Sequence, residues 1–373
     1  ARSIGEVTDI VEKEMYTFTP GSDTITLRPE GTAGVVRAYL QHSLDRQGGL
    51  QKLWYAGPMF RRERPQKGRQ RQFHQVGVEA IGASDPLLDA EVVRMALDFY
   101  ARLGVTGVRT RLNSIGCPAP DCRPAYRERL QAAIEPDLPH LCKNCQNRFG
   151  RNVLRLLDCK NPECQKKRDG WPRPDAQLCA ACDEHFGAVR EAMDASGAAY
   201  EVDPFIVRGL DYYTRTVFEF SHDALGAQDA IGAGGRYDGL VEELGGPSIP
   251  AVGFALGVER ILIAMEALDC CACEAPLDLF GVAVEPACRK ALAGLLARVR
   301  TAGYRAEMDF EGRSFKAQLK KANRLGARAV LLLGEDELAA GEAALKDMGE
   351  GGDQARVSLH ELQARLADLL GPR

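Results

Sequence analysis

The sequence predicts two folded parts: an α+β core on an antiparallel sheet, interrupted by a helical insertion, and then a C-terminal α/β domain. Three observations support this prediction. The chain has 373 residues and 45% hydrophobic content, enough for more than one domain. Strand-like runs occur before residue 269 and again, with a different pattern, after residue 277. Eight of the twelve cysteines lie between Cys117 and Cys182, in a segment with mostly helical patterns.

The composition restricts the class of protein. The hydrophobic content excludes a disordered chain, and no apolar run reaches the roughly 18–20 residues of a membrane-spanning helix. The first residues lack the apolar centre of a signal peptide, so we expect a cytoplasmic protein with no membrane contact. The formal net charge of −4 means that any site for a polyanion must be a local cluster of cations.

The antiparallel sheet is predicted from apolar runs flanked by helices such as LDAEVVRMALDFYARLG. The runs are QKLWYAGPMFRRE, RQFHQVGVEAIG, RTRLNSIG, TRTVFEFSH and PAVGFALG. The first two would pair as a hairpin, and they leave RPQKGRQ as a loop whose glycine, proline and cations cannot pack in a core.

The returning strand of this hairpin has an unusual face. The period of two puts Phe73, Gln75, Gly77 and Glu79 on the same side. An aromatic ring, an amide, a glycine and a carboxylate make a poor core, but they suit a pocket floor with space for a ligand. The alternative is a sheet surface that faces water.

Further fragments offer polar groups at the starts of helices. TLRPEGTAGVVRAY would turn a strand into a helix, with Glu30 and Thr32 at the junction. IGAGGRYDGLVEEL and GFALGVERILIAME are each predicted to place glycines before a helix that carries Arg236 or Arg260 near its start, where anions are favoured. Neither a P-loop nor a G-x-G-x-x-G fingerprint is present.

The C-terminal part alternates strands and helices. LFGVAV, YRAEMDF and ARAVLLLG are β-rich, and they are separated by helical stretches from Pro286 to Ala302 and from Ser314 to Leu325. This β-α-β-α-β order predicts a mostly parallel sheet.

The cysteines of the insertion form pairs at spacings that could bind zinc, but the separations between pairs fit no standard zinc finger closely. In a long chain of this type we expect free thiols, and we assign no metal site. The alternative is a structural zinc on Cys142, Cys145, Cys179 and Cys182, and the pair Cys159 and Cys164 is a further candidate.

The expected domain boundaries follow from these patterns. The core comprises residues 1–116 and 196–268, the insertion 117–195, the linker 269–277 and the C-terminal domain 278–373. The chain starts without Met in what reads as an element already under way, so we expect that an N-terminal part of the core is missing.

Four of these stretches resemble known motifs. FRRERPQKGRQRQFHQVGVE resembles motif 2 of the class II aminoacyl-tRNA synthetases, and GFALGVER resembles motif 3. RGLDYYTRTVFEF and GAGGRYDGL resemble the two signatures of the histidine enzymes. The chain is thus similar to the bacterial histidyl-tRNA synthetase family over essentially its whole length, although only the downstream edge of motif 1 is represented. The resemblance implies a class II catalytic core and a C-terminal anticodon-binding domain.

The resemblance also implies an activity: ATP-dependent attachment of histidine to its cognate tRNA through a histidyl-adenylate, with Mg²⁺ on the pyrophosphate, in a homodimer. Two rivals stay open. One is a catalytically silent paralogue that acts as a regulatory subunit of ATP phosphoribosyltransferase. It is disfavoured because such subunits lack the anticodon-binding domain. The other is a nucleic-acid-binding module in which the cysteine pairs hold zinc.

Residue roles are carried over from the motifs. Arg61 and Arg208 are the expected catalytic residues at the α-phosphate. The expected ATP-binding residues are Arg61, Glu63, Arg69, Phe73 and Arg260. The expected histidine-binding residues are Glu30, Thr32, Gln75, Glu79, Arg208, Tyr212 and Tyr213. Gln66 and Lys67, at the tip of the cationic loop, are expected to meet the tRNA acceptor end.

Overall fold

The structure is a computed structural model that describes residues 14–207, 210, 212–226, 229–270, 277–349 and 352–371. It divides into two compact units, Ala1–Cys271 and Ala272–Arg373. The predicted combination of an antiparallel core, a helical insertion and a C-terminal α/β unit is confirmed. Within the described ranges, no helix has both the length and the apolar composition needed to cross a bilayer.

The described residues of the first unit form nine strands. They are β1 (Thr17–Phe18), β2 (Ile25–Thr26), β3 (Gln51–Phe60), β4 (Gln72–Ile81), β5 (Arg109–Ser114), β6 (Glu201–Val202), β7 (Thr214–Ser221), β8 (Ala230–Arg236) and β9 (Ala251–Gly257). β1 and β2 form a separate ribbon, and the others form one sheet in the order β3-β4-β9-β8-β7-β5-β6. Neighbouring strands in this sheet are antiparallel, except for β5 and β6, which are parallel. The five strands predicted from apolar runs, β3, β4, β5, β7 and β9, are confirmed.

Helices flank this sheet and fill the insertion. They are α1 (Thr32–Gln41), α2 (Pro86–Arg102), α3 (Arg123–Ile134), α4 (Lys143–Phe149), α5 (Pro162–Arg168), α6 (Ala180–Ala195), α7 (Leu240–Glu243) and α8 (Val258–Ala267). Short 3₁₀ turns occupy Leu44–Gln47, Glu135–His140, Val153–Leu156, Pro174–Gln177 and Asp223–Leu225. α2 begins where the Asp85 carboxylate accepts a hydrogen bond from the Leu87 amide, with Pro86 in the first turn.

The glycine-rich stretch before Arg236 corrects one prediction. It forms β8 rather than a glycine turn at the start of a helix. A Cβ on Gly234 would lie 2.1 Å from the Gly253 carbonyl oxygen, and one on Gly232 would lie 2.5 Å from the Leu256 side chain. Glycine is therefore needed because neighbouring groups pack directly on this strand. The sequence pattern missed the strand because glycines carry no hydrophobic period.

Arg236 also differs from its predicted role, because its side chain is fully buried in an ion pair instead of facing an anion site. Its Nε donates to the Asp89 carboxylate at 3.0 Å, and His185 Nε2 lies 2.9 Å from the same carboxylate. Burial alone would raise the pKa of Asp89, but His185 and Arg236 outweigh it and lower that pKa. The pair connects α2, α6 and the end of β8.

In the second unit, the residues that the structure describes form a five-stranded sheet and four helices. The strands are β10 (Leu279–Ala283), β11 (Ala306–Met308), β12 (Ala329–Leu333), β13 (Glu342–Asp347) and β14 (Gln354–Ser358), in the order β11-β10-β12-β13-β14. The helices are α9 (Arg289–Thr301), α10 (Phe315–Arg324), α11 (Glu335–Ala340) and α12 (Leu362–Leu370), and a 3₁₀ turn at Pro286–Cys288 precedes α9.

The prediction of a mostly parallel sheet is correct only for the first three strands of this unit. β10 is parallel to β11 and β12, whereas β13 is antiparallel to both β12 and β14. The connection from β12 to β13 contains only the short α11. A crossover to a parallel strand needs about a dozen residues or more, so the chain returns antiparallel.

The buried ion pair gives a first prediction. Asp89→Ala should lower the free energy of unfolding by about 3–5 kcal/mol, because the buried Arg236 would lose its buried carboxylate partner and keep only the more exposed Asp238. Urea denaturation followed by circular dichroism measures this. Asp98→Ala on the same helix is the control: its partner Arg94 is exposed, so the loss should stay within about 0.5 kcal/mol. Equal losses for the two variants would contradict a special role for the buried pair.

Candidate active site

A cavity of about 600 Å³ lies in the first unit against the sheet. Its size suits a small-molecule ligand. Most of the residues expected to bind ATP or histidine line it. They are Glu30, Thr32, Arg61, Glu63, Arg69, Phe73, Gln75, Tyr212, Tyr213 and Arg260. Residues that are up to 230 positions apart in the sequence, from Glu30 to Arg260, therefore line the same cavity.

Arg61 is held in place by the chain before α1. Its Nε donates a hydrogen bond to the Pro29 carbonyl at 2.9 Å, and its guanidinium carbon lies 5.2 Å from the centroid of the Phe73 ring. Phe73 follows on β4, across the hairpin from β3. The hairpin thus fixes a cation beside an aromatic face at one end of the cavity.

Two more guanidinium groups approach the same end. Arg69 Nη1 lies 3.0 Å from the Glu63 carboxylate, and Arg260 Nε donates to the Gly68 carbonyl at 2.8 Å. Burial lowers the pKa of Arg260, and the neighbouring Arg69 and Arg61 lower it further, while Glu63 opposes them. This mutual repulsion favours a bound anion, and guanidinium groups suit phosphate oxygens in two-point geometry.

Glu30 lies at the junction between the chain and α1. Its carboxylate accepts hydrogen bonds from the amides of Thr32 at 2.6 Å and Ala33 at 3.1 Å. Burial raises the pKa of Glu30, and these amides and Arg61 only partly offset that effect. The carboxylate therefore caps the helix and also faces the cavity.

Glu79, which was expected to bind histidine, is fully buried and is not among the residues that line the cavity. Thr32 Oγ1 donates to one carboxylate oxygen at 2.7 Å, and the Tyr237 hydroxyl donates to the other at 2.5 Å. Burial raises the pKa of Glu79 to about 8, against the lowering effect of these two hydrogen bonds. Periodicity identified the correct face of β4, but it could not show that Thr32 lies in front of the carboxyl.

The space predicted above Gly77 is filled by Tyr55. A Cβ on Gly77 would lie 2.3 Å from the Tyr55 ring, and a Cβ on Gly31 would lie 2.2 Å from it. Both glycines therefore accommodate a tyrosine ring rather than a ligand.

Two polar atoms of the cavity-lining residues lack a partner. The Tyr212 hydroxyl and Gln75 Oε1 are buried with no hydrogen-bond partner in the part of the chain that the structure describes. Such groups are costly unless a ligand or water satisfies them.

The loop tip expected to meet tRNA lies outside the cavity. Two backbone hydrogen bonds between Gln66 and Arg69, of 3.1 and 2.8 Å, close a tight turn. Gln66 and Lys67 are exposed, although Lys67 Nζ donates to the Ala224 carbonyl at 3.2 Å. Arg208, the second expected catalytic residue, lies outside the described residues.

The sequence reasoning missed several residues of the site. Tyr237, which contacts Glu79, lies within the GAGGRYDGL signature and could have been found there. The insertion also contributes side chains to the cavity lining: Arg148, Arg155, Asp158 and Lys160. No local pattern could place them there, because their position depends on how the insertion packs on the core.

The cysteine set considered for zinc is not assembled. The structure separates Cys142 and Cys145 from Cys179 and Cys182, and groups each pair with other cysteines. The first pair lies with Cys159 and Cys164, and the second pair lies with Cys117 and Cys122. The sequence reasoning was wrong here because it paired like spacings and did not include Cys117 and Cys122.

A family model for histidyl-tRNA synthetase matches residues 4–261, more than half of the chain. The chain belongs to the histidyl-tRNA synthetase family. A second model, for an anticodon-binding domain, matches residues 278–369. The resemblance inferred from the motifs is therefore confirmed, together with the expected class of fold.

Curated relatives and solved structures agree with this family. Histidine-tRNA ligases from Desulforamulus reducens and Moorella thermoacetica are 50% and 51% identical over 97% and 96% of this chain, and over 86% and 84% of their own lengths. The structure of apo S. aureus histidyl-tRNA synthetase is 36% identical, with a TM-score of 0.77, and the match covers 94% of this chain and 86% of that one. An ATP phosphoribosyltransferase regulatory subunit/histidyl-tRNA synthetase from Bacillus halodurans is 21% identical with a TM-score of 0.61, a likeness of fold alone.

The raised pKa of Glu79 gives a second prediction. Between pH 4.5 and about 8 the folded state keeps this carboxyl protonated while the unfolded state ionises it. Unfolding then releases a proton, so the free energy of unfolding should fall by about 1.4 kcal/mol per pH unit through this group. Glu79→Gln removes that contribution. Urea unfolding at pH 5, 6, 7 and 8 should show the variant gaining stability relative to the unsubstituted chain as pH rises.

Glu91→Gln is the matched control, because Glu91 is half exposed at the surface of the same unit. Its stability difference from the unsubstituted chain should stay constant over this pH range. A constant difference for Glu79→Gln as well would mean that Glu79 is ionised in the folded protein.

Proposed function

We propose that this chain attaches histidine to its tRNA in two steps that share the cavity. In the first, a histidine carboxylate oxygen bonds to the α-phosphorus of ATP and the bond to pyrophosphate breaks. In the second, a hydroxyl oxygen of the terminal ribose of the tRNA bonds to the histidyl carbonyl carbon, and AMP and the hydroxyl proton are released. The supporting observation is the composition of the cavity lining: it combines guanidinium groups, which suit phosphates, with carboxyl, amide and hydroxyl groups, which suit an amino acid.

The guanidinium end suits ATP. We propose that Arg61 contacts the α-phosphate and that Arg69 and Arg260 contact the outer phosphates. Glu63 would accept a hydrogen bond from the adenine, and Phe73 would stack on it. Their fixed positions next to a cavity support these roles, since Arg61 and Arg260 are already held by backbone carbonyls. Donors that are fixed before the reaction need no reorganisation as charge develops.

The opposite end suits an amino acid. Glu30, Thr32 and Gln75 would hold the ammonium group, and Tyr212 and Tyr213 would contact the imidazole. We propose that Glu79 acts through Thr32 and Tyr237, which its carboxyl positions, rather than by direct contact. Arg208 keeps its proposed place at the substrate carboxylate and the α-phosphate on the strength of the RGLDYY motif alone.

No nucleophilic side chain is required by this scheme. The attacking group is the substrate's own carboxylate, so the protein contributes orientation and stabilisation of negative charge. We propose Mg²⁺ on the departing pyrophosphate, a homodimer in the cytoplasm, and residues 278–373 as the part that binds the anticodon.

The third prediction tests the first step. Purified protein should exchange labelled pyrophosphate into ATP only when histidine is present, and Arg260→Ala should lower that exchange rate by ~10²–10³ because a phosphate contact made in the transition state is lost. Arg64→Ala is the control: Arg64 is an exposed arginine of the same hairpin loop that does not line the cavity, and exchange should be unchanged.

Each outcome of this assay has a meaning. Histidine binding without any exchange would identify the regulatory paralogue. Exchange that survives in Arg260→Ala would remove Arg260 from the phosphate site. Exchange driven by another amino acid would contradict the proposed substrate.

The fourth prediction separates the two steps. The double variant Gln66→Ala, Lys67→Ala should keep histidine-dependent exchange but slow transfer to tRNA, because the loop tip is exposed outside the cavity. Salt should weaken tRNA binding, and the positive charge of Lys67 should contribute to that salt dependence. Single-turnover transfer from preformed adenylate measures the effect. An equal fall in exchange would assign the loop tip to adenylate formation.

A further inference from the structure

The insertion contains two compact groups of thiols that the cavity does not use. In each group all four sulfur atoms lie within 4.8 Å of one another. The sheet cluster consists of Cys117, Cys122, Cys179 and Cys182. The insertion cluster consists of Cys142, Cys145, Cys159 and Cys164.

The sulfur spacing matches one tetrahedral ion per cluster. Zinc binds thiolates at about 2.3 Å, which places the corners of a tetrahedron about 3.8 Å apart. The sulfurs of Cys117 and Cys179 are 3.9 Å apart, and so are those of Cys142 and Cys159. This is far longer than a disulfide bond of about 2.05 Å. Polynuclear iron–sulfur clusters distribute their thiolates over several irons and need a wider arrangement.

A repeated pattern in the sequence agrees with this geometry. CPAPDC at residues 117–122 and CKNPEC at residues 159–164 share the form C-x-x-P-acid-C. LCKNC at residues 141–145 and LCAAC at residues 178–182 share the form L-C-x-x-C. Each cluster combines one stretch of each form, so the same ligand set is built twice.

Both clusters also have donors directed at sulfur. The Cys117 amide donates to Cys122 Sγ at 3.4 Å, and the Cys142 amide donates to Cys164 Sγ at 3.3 Å. Backbone N–H groups around a metal site stabilise the negative charge of the thiolates and fix their orientation. Both acceptor sulfurs belong to the last cysteine of the C-x-x-P-acid-C stretches.

Ordinary packing does not account for this arrangement. A buried thiol can act as a small apolar side chain, and Cys145 and Cys182 are fully buried. However, four sulfurs converge at each of two places from separate elements. The segment between Ile134 and Cys179 holds only the seven-residue helices α4 and α5 and short 3₁₀ turns. Helices of that length are marginal alone, and small cores of this kind usually need a metal or a disulfide.

We propose that each cluster binds one Zn²⁺ as a structural site with four cysteine ligands. On binding, four thiols release their protons to solvent and the ion takes four sulfur ligands. The inference is independent of the proposed function, and its failure would leave that function untouched.

The two ions would have different structural effects. The sheet cluster joins the chain after β5 to the starts of α3 and α6, so it closes both ends of the insertion. Cys122 immediately precedes Arg123, whose Nη1 donates to the Tyr213 carbonyl at 2.6 Å behind the cavity wall. The insertion cluster holds the elements that carry Arg148 and Lys160 to the cavity.

The fifth prediction tests this proposal on the full chain. Purification under reducing conditions and inductively coupled plasma mass spectrometry should give about two zinc ions per chain. Cys145→Ser and Cys182→Ser should each reduce the content to about one, because each removes a ligand from a different cluster. Cys288→Ser is the control, a buried thiol of the second unit outside both clusters, and it should keep two.

A second measurement covers variants that fail to fold. Chelation of the unsubstituted chain followed by refilling with Co²⁺ should restore two ions with the thiolate-to-cobalt absorption of tetrahedral sulfur sites. Zinc-free protein with no such absorption would overturn the proposal. Iron in place of zinc would overturn the identity of the metal. If the unsubstituted chain held only one zinc and one of the two variants kept it, the site to which that variant belongs would be overturned.

Discussion

The cavity depends on the register of β4. This strand pairs continuously with β3 on one side and with β9 on the other, without a shift on either side. The register places Tyr55 opposite Gly77 and Glu79 opposite Gly253, and each glycine makes room for the larger neighbour. A slip of one residue would turn the ligand-facing side chains into the core. Pairing on both edges makes such a slip costly, and it keeps Phe73 and Gln75 at the cavity while Glu79 stays buried.

Electrostatics make the two ends of the cavity unlike each other. At one end, guanidinium groups repel one another, and burial and that repulsion both lower the pKa of Arg260. Near the other group of polar side chains, burial raises the pKa of Glu30, and it also raises the pKa of Glu79 behind the cavity wall. Burial therefore disfavours the charged form of both kinds of side chain, and a bound group of opposite sign would stabilise that form. A net charge of −4 does not exclude an anion site here, because the cations are local.

The sequence predicted what depends on local pattern. Alternation identified β3, β4, β5, β7 and β9, and most of the site residues named from the motifs line the cavity. The sequence did not predict the features that depend on long-range packing. β8 has too few side chains to show a period, and the burial of Arg236 and Glu79 depends on partners more than 40 residues away. The antiparallel direction of β13 follows from the short connection between β12 and β13 rather than from composition.

The cysteines show the same limit and a way past it. Spacing alone grouped Cys142 and Cys145 with Cys179 and Cys182, because both pairs have two intervening residues. Along the chain, the cysteines of the insertion cluster instead lie between those of the sheet cluster. The sheet cluster therefore joins the first cysteines of the insertion to the last ones. Because of this nested order, the insertion cluster closes a short loop by itself, and the long loop that the sheet cluster closes is already partly constrained by it. The shared C-x-x-P-acid-C form carried this information in the sequence, because two copies of one ligand stretch imply two sites rather than one.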